Sequence, residues 1–448
     1  MRPRPATSAA GALGFAIAGG ALHASCFPPF HYWPAAFVAL APLLIALRGR
    51  SSRAAALLGW IEVTVASSIV VAPWISEAAQ HYFQLRAPSA WLFALGVTQL
   101  FGALPSAAFA AVAATLGRLR TPGARVATTA AAWVSIEWGR STFLTGAPWN
   151  LLGHALYTQP LWIQSAELGG VFLVSSVLAL TSAAAAELYR SPAATRRAAV
   201  AIGCAALGTA SAYGALRLRQ VDDTSDPAIT VAVVQGNIPN QWRAEVAHAN
   251  DAFEALAEPT RHLRDARPDL VVWPENAISF VLEPNRRFTQ GIRDLLGPSG
   301  PPLLLGGPRS VAHDGHVQFF NAAFLLDGNG QTLGTYDKRH LVPFAEYTPT
   351  LRLPGLPWRF DGPRDLTAGG APHLFETPVP FGALICFEAI YPYLSRDLVR
   401  AGATVLVNLT NDGWFGTSPE IEQHFAMASF RAVETRRALV RATNTGVT

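Results

Sequence analysis

Three residues in the second half of the sequence carry side chains that together could perform acyl chemistry. They are Glu275 in Val-Val-Trp-Pro-Glu-Asn, Lys338 in Gly-Thr-Tyr-Asp-Lys-Arg-His-Leu-Val-Pro-Phe, and Cys386 in Gly-Ala-Leu-Ile-Cys-Phe-Glu. A thiolate is the nucleophilic form of cysteine, and a free thiol is only partly ionised at neutral pH. A neighbouring carboxylate can take the thiol proton. A neighbouring ammonium favours the thiolate and stabilises the oxyanion that forms when it attacks a carbonyl. Taken singly, each residue has a plainer reading: Glu275 as a helix cap, Lys338 as a surface charge, Cys386 as part of an apolar core. Taken together, they are the parts of an acyl transfer through a thioester.

The composition singles out one of the three. Of 34 basic residues, 33 are Arg, and the one Lys is Lys338. An Arg-rich composition accounts for the 33 and leaves the exception to be explained. An ammonium is a compact charge, whereas a guanidinium is a broad planar fork that would displace a carbonyl held beside it. The three cysteines, Cys26, Cys204 and Cys386, are scattered and odd in number, which argues against a disulfide framework. Cys26 follows Leu-His-Ala-Ser, with His23 where a lipid-attachment signal wants an aliphatic residue, so that reading is set aside. Cys204 reads as packing within an apolar span. No cluster has metal-ligand spacing, and His340 reads as structural, so neither metal nor cofactor is expected.

These residues need a rigid platform, and the second half supplies the pattern of one. Strands are expected at 229–235, 269–273, 303–306, 318–327, 381–386 and 404–410, with helices at 243–266, 391–401 and 419–437. Near-continuous apolar strands between helices indicate sheets covered by helices. Each of the three candidates stands where a strand ends. Residues 341–366 are rich in Pro and aromatics and too long for an ordinary connection, so they read as a lid that touches lipid.

The first half is a different kind of protein. The chain has 448 residues, 14% charged and 50% hydrophobic, with a formal charge of +4. Residues 1–220 hold 15 Arg and 5 Glu with no Asp or Lys, whereas 221–448 hold 18 Arg, one Lys and 25 acids. The halves are therefore +10 and −6, and two domains are expected, 1–220 and 221–448. Apolar spans are expected near 8–25, 33–47, 54–75, 89–116, 124–144, 168–189 and 197–216, most of them near the ~20 residues a bilayer requires. Gly, Ala and Ser within them suit close helix packing. One set of loops carries 11 Arg and the alternating set only Arg86 and Arg140. Positive loops stay cytoplasmic, so seven spans place the second half outside, in the periplasm of a Gram-negative cell. The basic balance thus reports topology and excludes nucleic acid as the partner. Of the two carboxylates inside spans, Glu62 and Glu137, the latter is expected to pair with Arg140.

The strings around the candidates resemble a known family. Val-Val-Gln-Gly-Asn-Ile-Pro (233–239), Trp-Pro-Glu-Asn (273–276), Tyr-Asp-Lys-Arg-His-Leu-Val-Pro-Phe-Ala-Glu-Tyr (336–347), Ile-Cys-Phe-Glu (385–388) and Asn-Leu-Thr-Asn-Asp-Gly-Trp-Phe-Gly (408–416) are similar to those of the nitrilase/amidase superfamily. The whole chain resembles its membrane-bound branch, the apolipoprotein N-acyltransferases. The resemblance implies an α-β-β-α sandwich with Glu275 as general base, Lys338 as charge stabiliser and Cys386 as nucleophile. It implies that Glu346 orients the Lys338 ammonium, that Glu388 supports the loop after the nucleophile, and that the backbone N–H of Phe387 completes an oxyanion hole. Trp242 and Trp414 would contact lipid near the entrance.

Two departures stand out. Phe387 occupies a position where relatives often carry Tyr. The chain ends at Thr448, where the resemblance implies a further strand pair and an eighth span, as though the sequence were truncated. The implied reaction is a ping-pong transfer from the sn-1 position of a phospholipid to the α-amine of a diacylglyceryl-cysteine apolipoprotein, in the inner membrane. The alternatives are a membrane-tethered amidase or nitrilase with water as acceptor, and a transporter or scaffold with an inert extramembrane domain.

Overall fold

The computed structural model describes residues 7–119, 121–143, 145–189, 191–222, 229–239, 248–263, 266–282, 286–313, 316–347 and 365–448. The chain divides into two compact units, Met1–Thr224 with Ser418–Glu434, and Ser225–Thr417 with Thr435–Thr448.

The first unit is helical: α1 (Ala9–Ser25), α2 (Ala41–Leu47), α3 (Ser52–Val70), α4 (Ala72–Tyr82), α5 (Ala87–Thr98), α6 (Leu104–Leu116), α7 (Pro122–Thr142), α8 (Pro160–Ile163), α9 (Ala166–Leu188) and α10 (Ala193–Asp222). Ser8 and Ser51 cap α1 and α3, each side chain accepting a first-turn backbone N–H. A single π turn at Gln99–Ala103 joins α5 to α6. Among the described residues, four helices are long and apolar enough to cross a membrane: Ser52–Val70, Ala87–Leu116, Ala166–Leu188 and Ala193–Gln220. Gly20 lets α1 approach α3, since a Cβ there would collide with the Glu62 carbonyl oxygen.

Several expectations need correction. Residues 33–47 form no continuous helix but a 3-10 turn, Trp33–Phe37, followed by α2. Pro34 and Pro42 each begin a new piece, because proline lacks the donor that would continue the old one. The apolar run 54–75 breaks after Val70 for the same reason, with Pro73 in the first turn of α4. Cys204 is exposed on α10 rather than packed. Glu137 and Arg140 attract each other as charges, as expected, but each hydrogen-bonds elsewhere. Glu137 Oε1 accepts the Leu152 N–H at 2.7 Å, while Arg140 donates to the carbonyls of Trp149 and Asn150. Both side chains brace the connection after α7. Glu62, fully buried, meets His23 Nδ1 at 3.1 Å.

The second unit holds two sheets. One runs β1 (Val231–Val233), β2 (Leu270–Val272), β3 (Leu303–His313), β4 (His316–Leu326) and β5 (Thr332–Asp337), with the first three strands parallel and the last three antiparallel. The other runs β6 (Leu374–Phe375), β7 (Phe381–Ile385), β8 (Val405–Thr410) and β9 (Ala438–Thr443), with β7, β8 and β9 parallel. Successive strand side chains point to opposite faces, so an unbroken apolar run feeds two cores at once. Leu270, Val272, Leu304, Ala323 and Leu325 meet Phe381, Ala383, Ile385, Val407 and Leu409 between the sheets. Val271, Leu303, Leu305, Ala322 and Phe324 face the other way, against helices α11 (Ala249–Arg261) and α12 (Arg286–Leu296). Helix α13 (Pro392–Ala401) packs on β7 through Leu398, against Gly382. The expected helix 243–266 is thus Ala249–Arg261 within the described residues. The expected 419–437 helix is α14 (Glu420–Thr435), which sits largely in the first unit. Most of the aromatic-rich 341–366 stretch lies outside the described residues, as does Trp242.

Candidate active site

Strand ends bring the three candidates together. Glu275 stands three residues beyond β2, Lys338 directly follows β5, and Cys386 directly follows β7. Glu275 and Lys338 are 3% and 1% exposed, a degree of burial charged side chains tolerate only when paired. The pairing is present. Lys338 Nζ lies 2.9 Å from Glu346 Oε1 and 3.6 Å from Glu275 Oε1. The Cys386 thiol hydrogen-bonds to Glu275, which places carboxyl and thiol in contact. Glu346 is fixed in turn by the Val342 N–H, which donates to its Oε2 at 2.8 Å.

Sequence reasoning missed one member. Asn321, in the middle of β4, donates through Nδ2 to Glu275 Oε1 and to Glu346 Oε1, both at 2.8 Å. It holds two carboxylates at fixed positions on either side of the ammonium. A signal for it exists in the sequence: an amide inside Phe-Phe-Asn-Ala-Ala-Phe must find partners or carry a large desolvation cost.

Glu388 is fully buried and ties the loops after β5 and β7 into one piece. Its Oε1 accepts the N–H groups of Arg339 and His340, its Oε2 accepts that of Ile385, and Tyr336 Oη donates to it at 2.9 Å. The residues flanking Lys338 and Cys386 are therefore held by a single carboxylate. From the other side, Asn408 donates to the carbonyls of Leu384 and Cys386, and Arg441 anchors Asn408 and Asp412, each at 2.7 Å. The Asn-Leu-Thr-Asn-Asp string thus buttresses the loop that carries Cys386.

Two backbone features complete the geometry. Cys386 has φ of +50°, a left-handed conformation that costs a non-glycine residue about 1 kcal/mol or more and marks a sharp turn from strand into the 3-10 segment Cys386–Ile390. Phe387 is the next residue in that turn, and its ring meets Tyr391 edge-on. Gly306 on β3 lets the Glu275 backbone come close, since a Cβ there would stand 2.7 Å from Glu275 Cα. His340 stacks on Tyr391 at 3.8 Å and bonds Tyr393 Oη through Nδ1, in line with a structural role. Trp414 is half-buried in the 3-10 turn Asp412–Phe415 that follows β8.

The electrostatics follow from burial and from these partners. Burial pushes the Glu275 carboxyl above the usual carboxylate range, against the pull of Lys338. Burial and the Glu275 charge hold the Cys386 thiol well above its usual value, again opposed by Lys338. Burial alone would lower Lys338, but Glu346, Glu275 and Cys386 push it up, so it stays an ammonium. A thiol, a basic carboxylate and a permanent cation in contact can attack a carbonyl, carry its proton and hold its oxyanion.

Comparison with known proteins adds identity to this geometry. Residues 19–184 match the family described as the apolipoprotein N-acyltransferase N-terminal domain, and residues 230–448 match the carbon-nitrogen hydrolases. The chain is 34% identical over 443 residues to the apolipoprotein N-acyltransferase of Geobacter metallireducens, covering 97% of this chain and 84% of that protein. It is 34% identical over 449 residues to that of Pseudomonas aeruginosa, with the same coverage. Among solved structures it is similar to a mutant amidase from Nesterenkonia sp. AN1 bearing the acetamide moiety of fluoroacetamide on its active site cysteine. The identity is 16% and the TM-score 0.32, covering 49% of this chain and 77% of the amidase.

Proposed function

Because the chain belongs to the apolipoprotein N-acyltransferase family, we propose that it moves an acyl chain from a phospholipid to the N-terminal amine of a diacylglyceryl-cysteine apolipoprotein. The observation that carries this reading is the contact set of Glu275, Lys338, Cys386 and Glu346, one proton acceptor, one fixed cation and one nucleophile. In the first half-reaction Glu275 takes the Cys386 proton as Sγ attacks the sn-1 ester carbonyl. The oxyanion is held by Lys338 Nζ and the Phe387 backbone N–H. Collapse breaks the ester C–O bond, and Glu275 returns the proton to the departing lysophospholipid oxygen. The acyl group remains as a thioester on Cys386.

In the second half-reaction the α-amine of the lipid-modified cysteine attacks the thioester. An α-amino group with a pKa near ~8 leaves a usable neutral fraction at neutral pH. Glu275 takes the ammonium proton, the C–S bond breaks, and the proton passes back to the thiolate. The product is an amide and the enzyme is restored.

The Arg pattern of the loops favours a multi-pass inner-membrane protein of about seven spans with its catalytic unit on the periplasmic side. Incubation with radiolabelled phospholipid, followed by mass spectrometry, tests the reading. An acyl adduct on Cys386 that moves to a diacylglyceryl peptide supports it. Release of free fatty acid without transfer to the peptide, or an adduct that survives Cys386→Ala, overturns it.

A further inference from the structure

The helical unit contains a second charged site, separate from the triad. A cavity of about 300 Å³ opens among the ends of α2, α6 and α9 and the start of α7. That is the lower end of the range for small-molecule pockets, suited to a headgroup rather than a whole lipid. Arg48, Arg50, Arg118 and Arg125 line it, with Glu187 as the one acidic lining residue. The lining is therefore +3, in a chain segment where charge is otherwise rare.

Part of this charge has a structural task. Glu187 takes both Arg125, through two contacts of 2.9 Å, and Arg48 at 3.3 Å. Arg48 also donates to the carbonyls of Ala186 and Tyr189, which closes the C-terminal end of α9. The other two guanidiniums are not used up in this way. Arg118 is exposed and its side chain has no hydrogen-bond partner among the described residues. Arg50 donates through Nη2 to Thr7 and Ser8, but its Nε–H is buried with no acceptor among the described residues. A buried donor without an acceptor costs more than its bond would contribute, so it marks a place for an anion.

We propose that this cavity binds a phosphate group. Guanidinium forks arriving from separate segments suit a tetrahedral oxyanion, which accepts from several directions. Leu44 and Val126 line the same space, so one side of the ligand meets apolar wall while the other meets charge. An anionic phospholipid headgroup has that division, and basic pockets between membrane helices are where such headgroups dock. Free phosphate shares the recognised chemistry and lacks the apolar part.

The test uses the full-length protein in detergent with a phosphatidylglycerol carrying a photoreactive group on its headgroup. A diacylglycerol probe with the same chains is the control. Peptide mapping separates this site from lipid held at the triad. The expected result is labelling within residues 44–50 and 113–126, absent with diacylglycerol. Arg118→Gln should reduce it several-fold, and Arg50→Gln with Arg118→Gln by about tenfold or more, since each lost bond to a charged group approaches a factor of ten. Arg118→Gln is exposed and breaks no contact, so it tests the site even if the double variant folds poorly. Loss of labelling in millimolar inorganic phosphate assigns free phosphate as sufficient; persistence assigns the lipid. Equal labelling in Arg118→Gln and the unaltered protein, or by both probes, overturns the proposal.

Discussion

At the residue scale, the central cation is the most exacting part of the site. Lys338 Nζ reaches Glu346 at 2.9 Å and Glu275 at 3.6 Å in a space that leaves it 1% exposed. An arginine retains the charge but adds bulk and a planar geometry that this space does not hold. Lys338→Arg should therefore lower Cys386 acylation by about 10²-fold or more, the scale of losing an oxyanion contact, as read by single-turnover thioester formation. The raised Glu275 pKa fixes a pH dependence. The base acts as a carboxylate, so acylation falls as pH drops through its pKa, and burial places that limb above the ordinary carboxyl value of 4.5. The pair titrates as a unit with Cys386, so the profile reports the pair. A thioester-formation profile whose acid limb lies at or below 4.5 would contradict this. The site was legible at this scale where chemistry chose an unusual residue type. One Lys among 33 Arg and one Cys at a strand end stand out, whereas Asn321 does not, because its role depends on which two carboxylates the fold brings beside β4.

At the element scale, the site depends on how closely strand ends approach. Gly306 on β3 admits the turn carrying Glu275, and a methyl group there would overlap Glu275 Cα at 2.7 Å and the Pro274 oxygen at 2.9 Å. Gly306→Ala should displace the base by a fraction of an ångström. A misplacement near 1 Å costs about 10²-fold in rate, so acylation should fall on that order while circular dichroism shows the sheets retained. Glu388 works across elements in the same way. Glu388→Gln exchanges a carboxylate that accepts three backbone N–H groups for an amide with one acceptor oxygen. It should lower the melting temperature and slow acylation together, while leaving the protein a folded two-unit chain by limited proteolysis. The strands were readable because their apolar runs feed cores on both faces, as with Leu303, Leu304 and Leu305. Boundaries were less so: β3 was expected to end near 306 and continues to His313, because its pairing with β4 extends to an exposed end that hydropathy does not mark.

At the scale of the whole molecule, composition separates two units and sequence order does not. Helix α14 follows β8 in the chain, yet Ser418–Glu434 belongs with the helical unit. Gln423 Nε2 donates to the carbonyls of Pro28 and Val70, and Trp149 Nε1 donates to Gln423 Oε1 at 2.7 Å. An amphipathic helix declares a buried face without declaring its partner, so this return was not readable from periodicity. The proposed orientation across a membrane rests on charge. Eleven Arg in one set of short loops against two in the other would, by the rule that positive loops stay inside, keep the first set in the cytoplasm. Two exposed positions make this measurable. Thr121 precedes α7 on the Arg-rich side and caps nothing, and Val317 on β4 is 58% exposed in the catalytic unit. With Cys26, Cys204 and Cys386 replaced by Ala, a Val317→Cys variant should react with a membrane-impermeant maleimide in intact spheroplasts. A Thr121→Cys variant should react only after lysis. Charge bias acts on insertion through whichever loops carry it, so the reverse pattern would mean that the 11 Arg do not set the topology.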